Sequence, residues 1–269
     1  MPAERIAENL AYINWTVLAG LAAGALWAVL LLRLRTGATK GYLGFTAFTA
    51  AGFGLLAWLA DGALPASGWA EPRRLALAAL AALALVTAVA IWRGGRGVVV
   101  GAAGSAAAVA ALLAGAAAWG GGSPIGSGLL FVQLAALAAA TGGVWAAMIL
   151  GHWYLVTPKL PEAPLVMFAR VLQYVVAAQL ALFFAWVALG AGPEGSGGFA
   201  ELTGPWALFL WLRLLVGLIF PLVVSWAAVQ TARTRSMESA TGLLYINVGT
   251  IAAGTILAAG LYFGAGILA

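Results

Sequence analysis

The sequence predicts an all-α polytopic membrane bundle of about eight transmembrane helices, and three observations predict it. Hydrophobic residues make up 64% of the chain and charged residues 8%, with a mean hydropathy of +1.03, which is far from the usage of soluble globular domains. Apolar stretches of roughly 20 residues, enough for a helix to cross about 30 Å of hydrocarbon, recur along the whole chain. Turn-forming segments separate them. The N-terminal "MPAERIAENLAYIN" lacks the basic n-region and small-residue cleavage site of a signal peptide, so the first span is expected to stay in the protein.

The spans fall at 12–34, 42–61, 74–93, 98–119, 128–151, 164–190, 205–231 and 240–266. The first carries Gly20 and Gly24, a small-xxx-small spacing that lets backbones approach, and Asn14 near its outer end reads as interhelical glue. "RTGATKG" divides it from the second span, and "DGALPASGWAEP" divides the second from the third. The third and fourth, "LALAALAALALVTAVA" and "VVVGAAGSAAAVAALLAGAAA", are low-complexity Ala/Leu/Gly and read as scaffold, with "RGGRG" between them. "GGGSPIGS" precedes the fifth span, and the segment around His152, "GHWYLVTPKLPEAPL", reads as the break before the sixth. The seventh, after "GAGPEGSGGFAELTGP", places Arg213, Gly217 and Pro221 on one face at i+4 steps, with a kink expected beside the charge. "RTRSMES" leads into the eighth, where Asn247, Thr250 and Gly254 read as interhelical contacts and Gly260 and Gly264 repeat the small-residue spacing.

Charge alternates from loop to loop. One set holds Arg33, Arg35, Lys40, Arg93, Arg96, Lys159, Arg233 and Arg235; the other holds Arg73 and Arg74 against Asp61 and Glu71, then Glu194 and Glu201. The positive-inside rule makes the first set cytoplasmic and puts both termini outside, as in a prokaryotic-type inner membrane. His152 then faces the cytoplasmic surface. The net charge of +5 comes from these scattered helix-end residues, so nucleic acid is not an expected partner.

"GALWAVLLLRL" and "GGVWAAMILGH" align through Trp27 and Trp145. The alignment suggests one transmembrane domain of two halves, 1–120 and 128–269. Because four spans separate the copies, the halves would share one orientation and be related by an axis along the membrane normal. Chance similarity between Ala/Leu-rich helices is the competing explanation.

Ionisable groups inside hydrocarbon are costly, which makes the few that occur candidates for function. Arg170 lies in the sixth span, with Gln173 and Tyr174 on its face. With His152 and Tyr154 they form a candidate ligand-binding mouth for the head of a quinone, since imidazole, phenol and guanidinium can all donate to its carbonyl. The same residues also fit an interfacial anchor of the aromatic-belt kind. Arg213 is the second candidate, with Gln133, Gln179 or carbonyls freed near Pro221 as its expected partners, or else an anionic lipid, a ligand carboxylate or a second subunit.

Absences narrow the chemistry. The chain has one histidine and no cysteine, which leaves no bis-histidine haem, no iron–sulfur cluster and no covalently attached cofactor to be expected, and no metal site. No Walker, HExxH or GxSxG sequence occurs, so no catalytic residue is assigned and catalysis by this chain alone is not expected.

The stretch "YINWTVLAGLAAGALWAVLLL", residues 12–32, resembles the first span of the NrfD/PsrC-type membrane subunits, the quinone-interacting partners of periplasmic redox enzymes. The resemblance implies eight helices in two four-helix bundles without haem. It covers only that stretch, the family's usual length is greater, and no site residue is carried over from it. The expected function is a non-catalytic integral membrane subunit of a respiratory or other electron-transfer complex. Its partners would be the lipid bilayer and other membrane or redox subunits, with quinone as a ligand. The alternatives are a small-molecule or lipid transporter that holds an anionic group on Arg213, and a purely structural assembly subunit.

Overall fold

The computed structural model describes residues 1–95, 97–157, 160–193 and 195–269; Arg96, Lys159 and Glu194 of the charge pattern lie outside the described residues. The described residues form helices and no strands, and eight spans are long and apolar enough to cross a membrane. The elements are α1 (Pro2–Glu8), α2 (Leu10–Arg35), α3 (Lys40–Asp61), α4 (Ala70–Trp92), α5 (Val98–Trp119), α6 (Pro124–Val156), α7 (Ala163–Leu189), α8 (Ala207–Leu214), α9 (Phe220–Arg233) and α10 (Met237–Ala265). A π turn, Leu215–Ile219, joins α8 to α9 as the seventh span.

Local chemistry sets several ends. Ser123 caps α6 by accepting from the Gly126 amide at 2.9 Å, with Pro124 at the first helical position. At its other end α6 departs from the sequence reading. The segment expected to break at His152 remains helical through Val156, because "HWYLV" contains no breaker. The helix stops at Thr157, whose φ of −137° leaves the helical region, as the restriction on a residue preceding proline favours. The N-terminal segment also folds, as α1 against α10, with Ile6 seated over Gly260.

Spans α2 to α5 form one ring of four neighbours, and α6, α7, α8/α9 and α10 form another. The rings meet where α2 lies along α6. A Cβ on Gly24 would overlap the carbonyl of Ala138, and one on Gly142 would overlap the backbone of Gly24 and Ala25. Two helices with lipid on their outer sides gain no hydrophobic attraction toward each other, so this close approach contributes dispersion over a long seam instead. Large side chains such as Leu55, Leu59, Trp226 and Ile246 face outward, as hydrocarbon permits.

The seam distinguishes two neighbouring glycines. A Cβ on Gly20 would sit 3.4 Å from Ala138 Cα, an ordinary contact. Gly20→Ala should therefore leave the melting temperature in detergent within about 1 °C of wild type, whereas Gly24→Ala should lower it by roughly 3–10 °C, the range expected for about 1–3 kcal/mol of overpacking. Equal effects at the two positions would rule out this seam.

Candidate functional site

The end of the bundle that carries Arg33, Arg35, Lys40, Arg93, Arg233 and Arg235 is its basic end. Here the last turns of α6 run beside the first turns of α10. Gly151 makes the approach possible: a Cβ there would lie 2.8 Å from Thr241 Oγ1. One residue on, His152 is exposed, and its Nδ1 lies 3.5 Å from the hydroxyl of Tyr245 on α10. That separation is at the limit of a hydrogen bond, so each group keeps capacity for a further partner.

Tyr154 turns the other way. It is buried, and its hydroxyl donates to the Pro161 carbonyl at 2.5 Å, tying the α6–α7 connection to the bundle. With Leu155 it forms one wall of a crevice of about 560 Å³, closed by Arg235, Ser236, Met237 and Glu238 from the turn before α10. Arg235 adopts φ +59°, a region disfavoured for residues with a side chain, and pairs with Glu162 at 3.3 Å. The Ser236 hydroxyl donates to that of Ser239 at 3.0 Å.

Arg170 and Tyr174 are exposed on α7 and Gln173 is half-buried. Among the described residues no hydrogen bond or ion pair joins any of these three to His152 or Tyr154, so the five predicted residues are not one hydrogen-bonded cluster. The i, i+3, i+4 rule correctly put the three on one face of α7 but could not say which way that face points. Conversely, Tyr245, Glu162, Ser236 and Glu238 went unnoticed and Arg235 was counted only as a loop charge, because only folding brings the turn before α10 to the end of α6.

Arg213 is 2% exposed, and each of its three nitrogens donates one hydrogen bond. Nη2 donates to Gln179 Oε1 at 2.9 Å, Nη1 to the Gly217 carbonyl at 3.4 Å and Nε to the Ala269 carbonyl at 3.4 Å. Gln179 and a carbonyl released near Pro221 are among the partners the sequence suggested. The cause is local: proline has no amide to give the residue four positions earlier, so the carbonyl of Gly217 is available and the helix widens into its π turn. Gln133, the other glutamine considered, instead bonds to the Ala258 carbonyl and the Ala269 amide. Asn247 fulfils its expected interhelical role, donating to Ser225 Oγ at 2.8 Å and to the Pro221 carbonyl at 3.4 Å. Asn14 does not, since it is exposed and no hydrogen bond joins it to another helix among the described residues.

A second buried guanidinium escaped the sequence reading. Arg73 and Asp61, treated there as loop charges, are 1% and 2% exposed and form a two-point ion pair. The Arg73 guanidinium lies 4.8 Å from the Trp119 ring centroid, and Arg74 covers Trp58 at 4.9 Å. The pair is short-range in sequence, twelve positions apart, and was legible in principle as two charges flanking a tight helix–helix connection. Among the described residues no three of His, Cys, Asp and Glu converge as metal ligands.

In comparisons with known proteins, no family model and no curated protein matches the chain. The likeness to NrfD/PsrC-type subunits therefore stands on residues 12–32 alone.

The ion pair predicts a non-additive result. Asp61→Asn should destabilise by about 3–5 kcal/mol by leaving a buried guanidinium uncompensated, while the double change Asp61→Leu, Arg73→Met should cost less than that single one. Thermal melts of the three proteins in one detergent decide it; a double variant weaker than the single would show that Arg73 is held by something other than Asp61.

Proposed function

We propose that this chain is a non-catalytic integral membrane subunit of a respiratory or other electron-transfer complex, and that it contacts a quinone head group at His152 and Tyr245. The observation that carries the reading is the pairing of the chain's one imidazole with a phenol at 3.5 Å, both exposed, with the exposed apolar residues Leu155 and Val156 one turn on from His152 along the same face of α6. A quinone needs this combination: apolar surface for its tail and ring, and donors for its carbonyl. Imidazole and phenol both donate, and both can pass a proton to a reduced head group. The electrons come from a partner subunit, because this chain holds no cysteine and only one histidine with which to ligate a redox centre.

The positive-inside rule orients the subunit in a prokaryotic-type inner membrane with the basic end in the cytoplasm and both termini outside. The quinone contact then lies near the cytoplasmic surface. Arg213, with its three nitrogens occupied by acceptors of the bundle itself, serves the protein as a structural cross-link.

Titration of the purified chain with a one-isoprene ubiquinone, followed by quenching of its tryptophan fluorescence, tests the reading. Saturable quenching should weaken about tenfold in His152→Ala and in Tyr245→Phe, as expected for loss of one hydrogen bond of about 1.4 kcal/mol. Arg170→Ala should bind as wild type. Wild-type affinity in both of the first two variants would overturn the assignment.

A further inference from the structure

The two rings of helices repeat one another in detail. The alignment through Trp27 and Trp145 also pairs Gly24 with Gly142 and Gly20 with Ala138, each 118 positions apart. These are the residues that touch across the α2–α6 seam: Gly24 faces Ala138 and Gly142, and Gly20 faces Ala138. A residue that contacts its own counterpart lies on a two-fold axis, and an interface built of such contacts is isologous. Because α2 and α6 run in the same direction through the bundle, that axis lies along the membrane normal.

The acceptors of the two buried arginines obey the same relation, although the arginines themselves, Arg73 and Arg213, are 140 positions apart. Asp61 and Gln179 are again 118 positions apart. Each accepts from an arginine on the next span of its own ring, Asp61 from Arg73 on α4 and Gln179 from Arg213 on α8. Neighbour order agrees as well, since each ring closes by packing its fourth span on its first, α5 on α2 and α10 on α6.

The basic end supplies a third correspondence. The crevice beside Tyr154 has a counterpart of about 620 Å³ where the end of α2 meets the turn before α5, lined by Arg33, Leu34, Ala90, Gly97 and Val98–Val100. Both turns carry a residue in the left-handed region just ahead of the ring's fourth span, Gly97 at φ +63° and Arg235 at φ +59°. The first crevice holds one charged residue, Arg33, among apolar walls, whereas the second brings Arg235, Ser236 and Glu238 together. Leu34 occupies the position 118 residues before His152.

We propose that the chain is an internal duplication of a four-helix unit, that the α2–α6 seam is an isologous interface between the two copies, and that the basic-end crevice, which carries an arginine in both copies, has gained a carboxylate and hydroxyls in the second. Three separate places fix the relation: the seam, the arginine stations and the crevices. Low-complexity Ala/Leu sequence could produce a chance match at Trp27 and Trp145, but it does not place two arginines or two left-handed residues.

Reciprocal exchange within the full chain tests the duplication. Residues 20–28, "GLAAGALWA", and 138–146, "AAATGGVWA", are swapped in register, with Thr141 retained in a second version to keep its bond to Thr255. Related halves should give a monodisperse protein melting within about 5 °C of wild type in at least one version. The same swap displaced by one residue, which puts an alanine at position 142, should aggregate. Failure of both in-register versions, or survival of the displaced one, overturns the seam relation. Arg235→Gly, which installs the first copy's residue, should hold or raise the melting temperature because glycine adopts positive φ without strain; a fall beyond about 3 °C overturns the equivalence of the two turns.

Discussion

The contact between the backbones of Gly24 and Gly142 is the constraint on which the rest of the bundle depends. A helix pair inside a membrane cannot rely on water to press it together, and it gains most from dispersion when the axes lie close. Small residues on α2 and α6 permit that approach, and each helix then serves as the inner wall of its own ring. With the inner walls in place, the outer spans can be simple. This explains why α4 and α5, built largely from alanine, leucine and glycine, suffice as scaffold, and why large side chains accumulate on the faces that meet lipid.

The interior contains few polar side chains, and most are used as cross-links. Arg213 joins α8 to α7, to the π turn of its own span and to Ala269; Asn247 joins α10 to α9; Thr141 joins α6 to α10 through Thr255. In hydrocarbon a donor without an acceptor is costly, so each bond also fixes how two spans are rotated against one another. The proline in the seventh span shows how a defect becomes a fastening. Its missing amide releases the carbonyl of Gly217, and the released carbonyl helps to hold a guanidinium that the membrane would otherwise reject.

Polarity is arranged differently at the basic end. There the groups are exposed, weakly paired and contributed by segments distant in sequence. His152 and Tyr245 barely reach each other, and Arg235 keeps a backbone conformation that glycine would adopt more cheaply. Most buried polar side chains among the described residues are bonded, although Trp15 Nε1, Arg73 Nη1, Ser105 Oγ and Asn247 Oδ1 are not, whereas an imidazole, a phenol and a crevice of mixed charge lie open at one end.

Composition and periodicity alone determined the class of this protein, the number of its spans and most of their limits to within a few residues, because the length of an apolar run against the thickness of hydrocarbon is a one-dimensional comparison. Gln179 as a partner of Arg213 was also within reach, since few acceptors exist in the spans and any buried guanidinium must find one. What sequence could not supply was direction. Arg170, Gln173 and Tyr174 share a face of α7, but only the packed bundle shows that Arg170 and Tyr174 are exposed while Tyr154 is buried. His152 looked like the start of a connection because proline and lysine follow it, although the helix persists four residues beyond. Tyr245 and the turn at Arg235 lie more than eighty positions from His152. Their meeting depends on α6 and α10 packing side by side, a relation set by Gly151 and Thr241 across the interface and by nothing local to either helix.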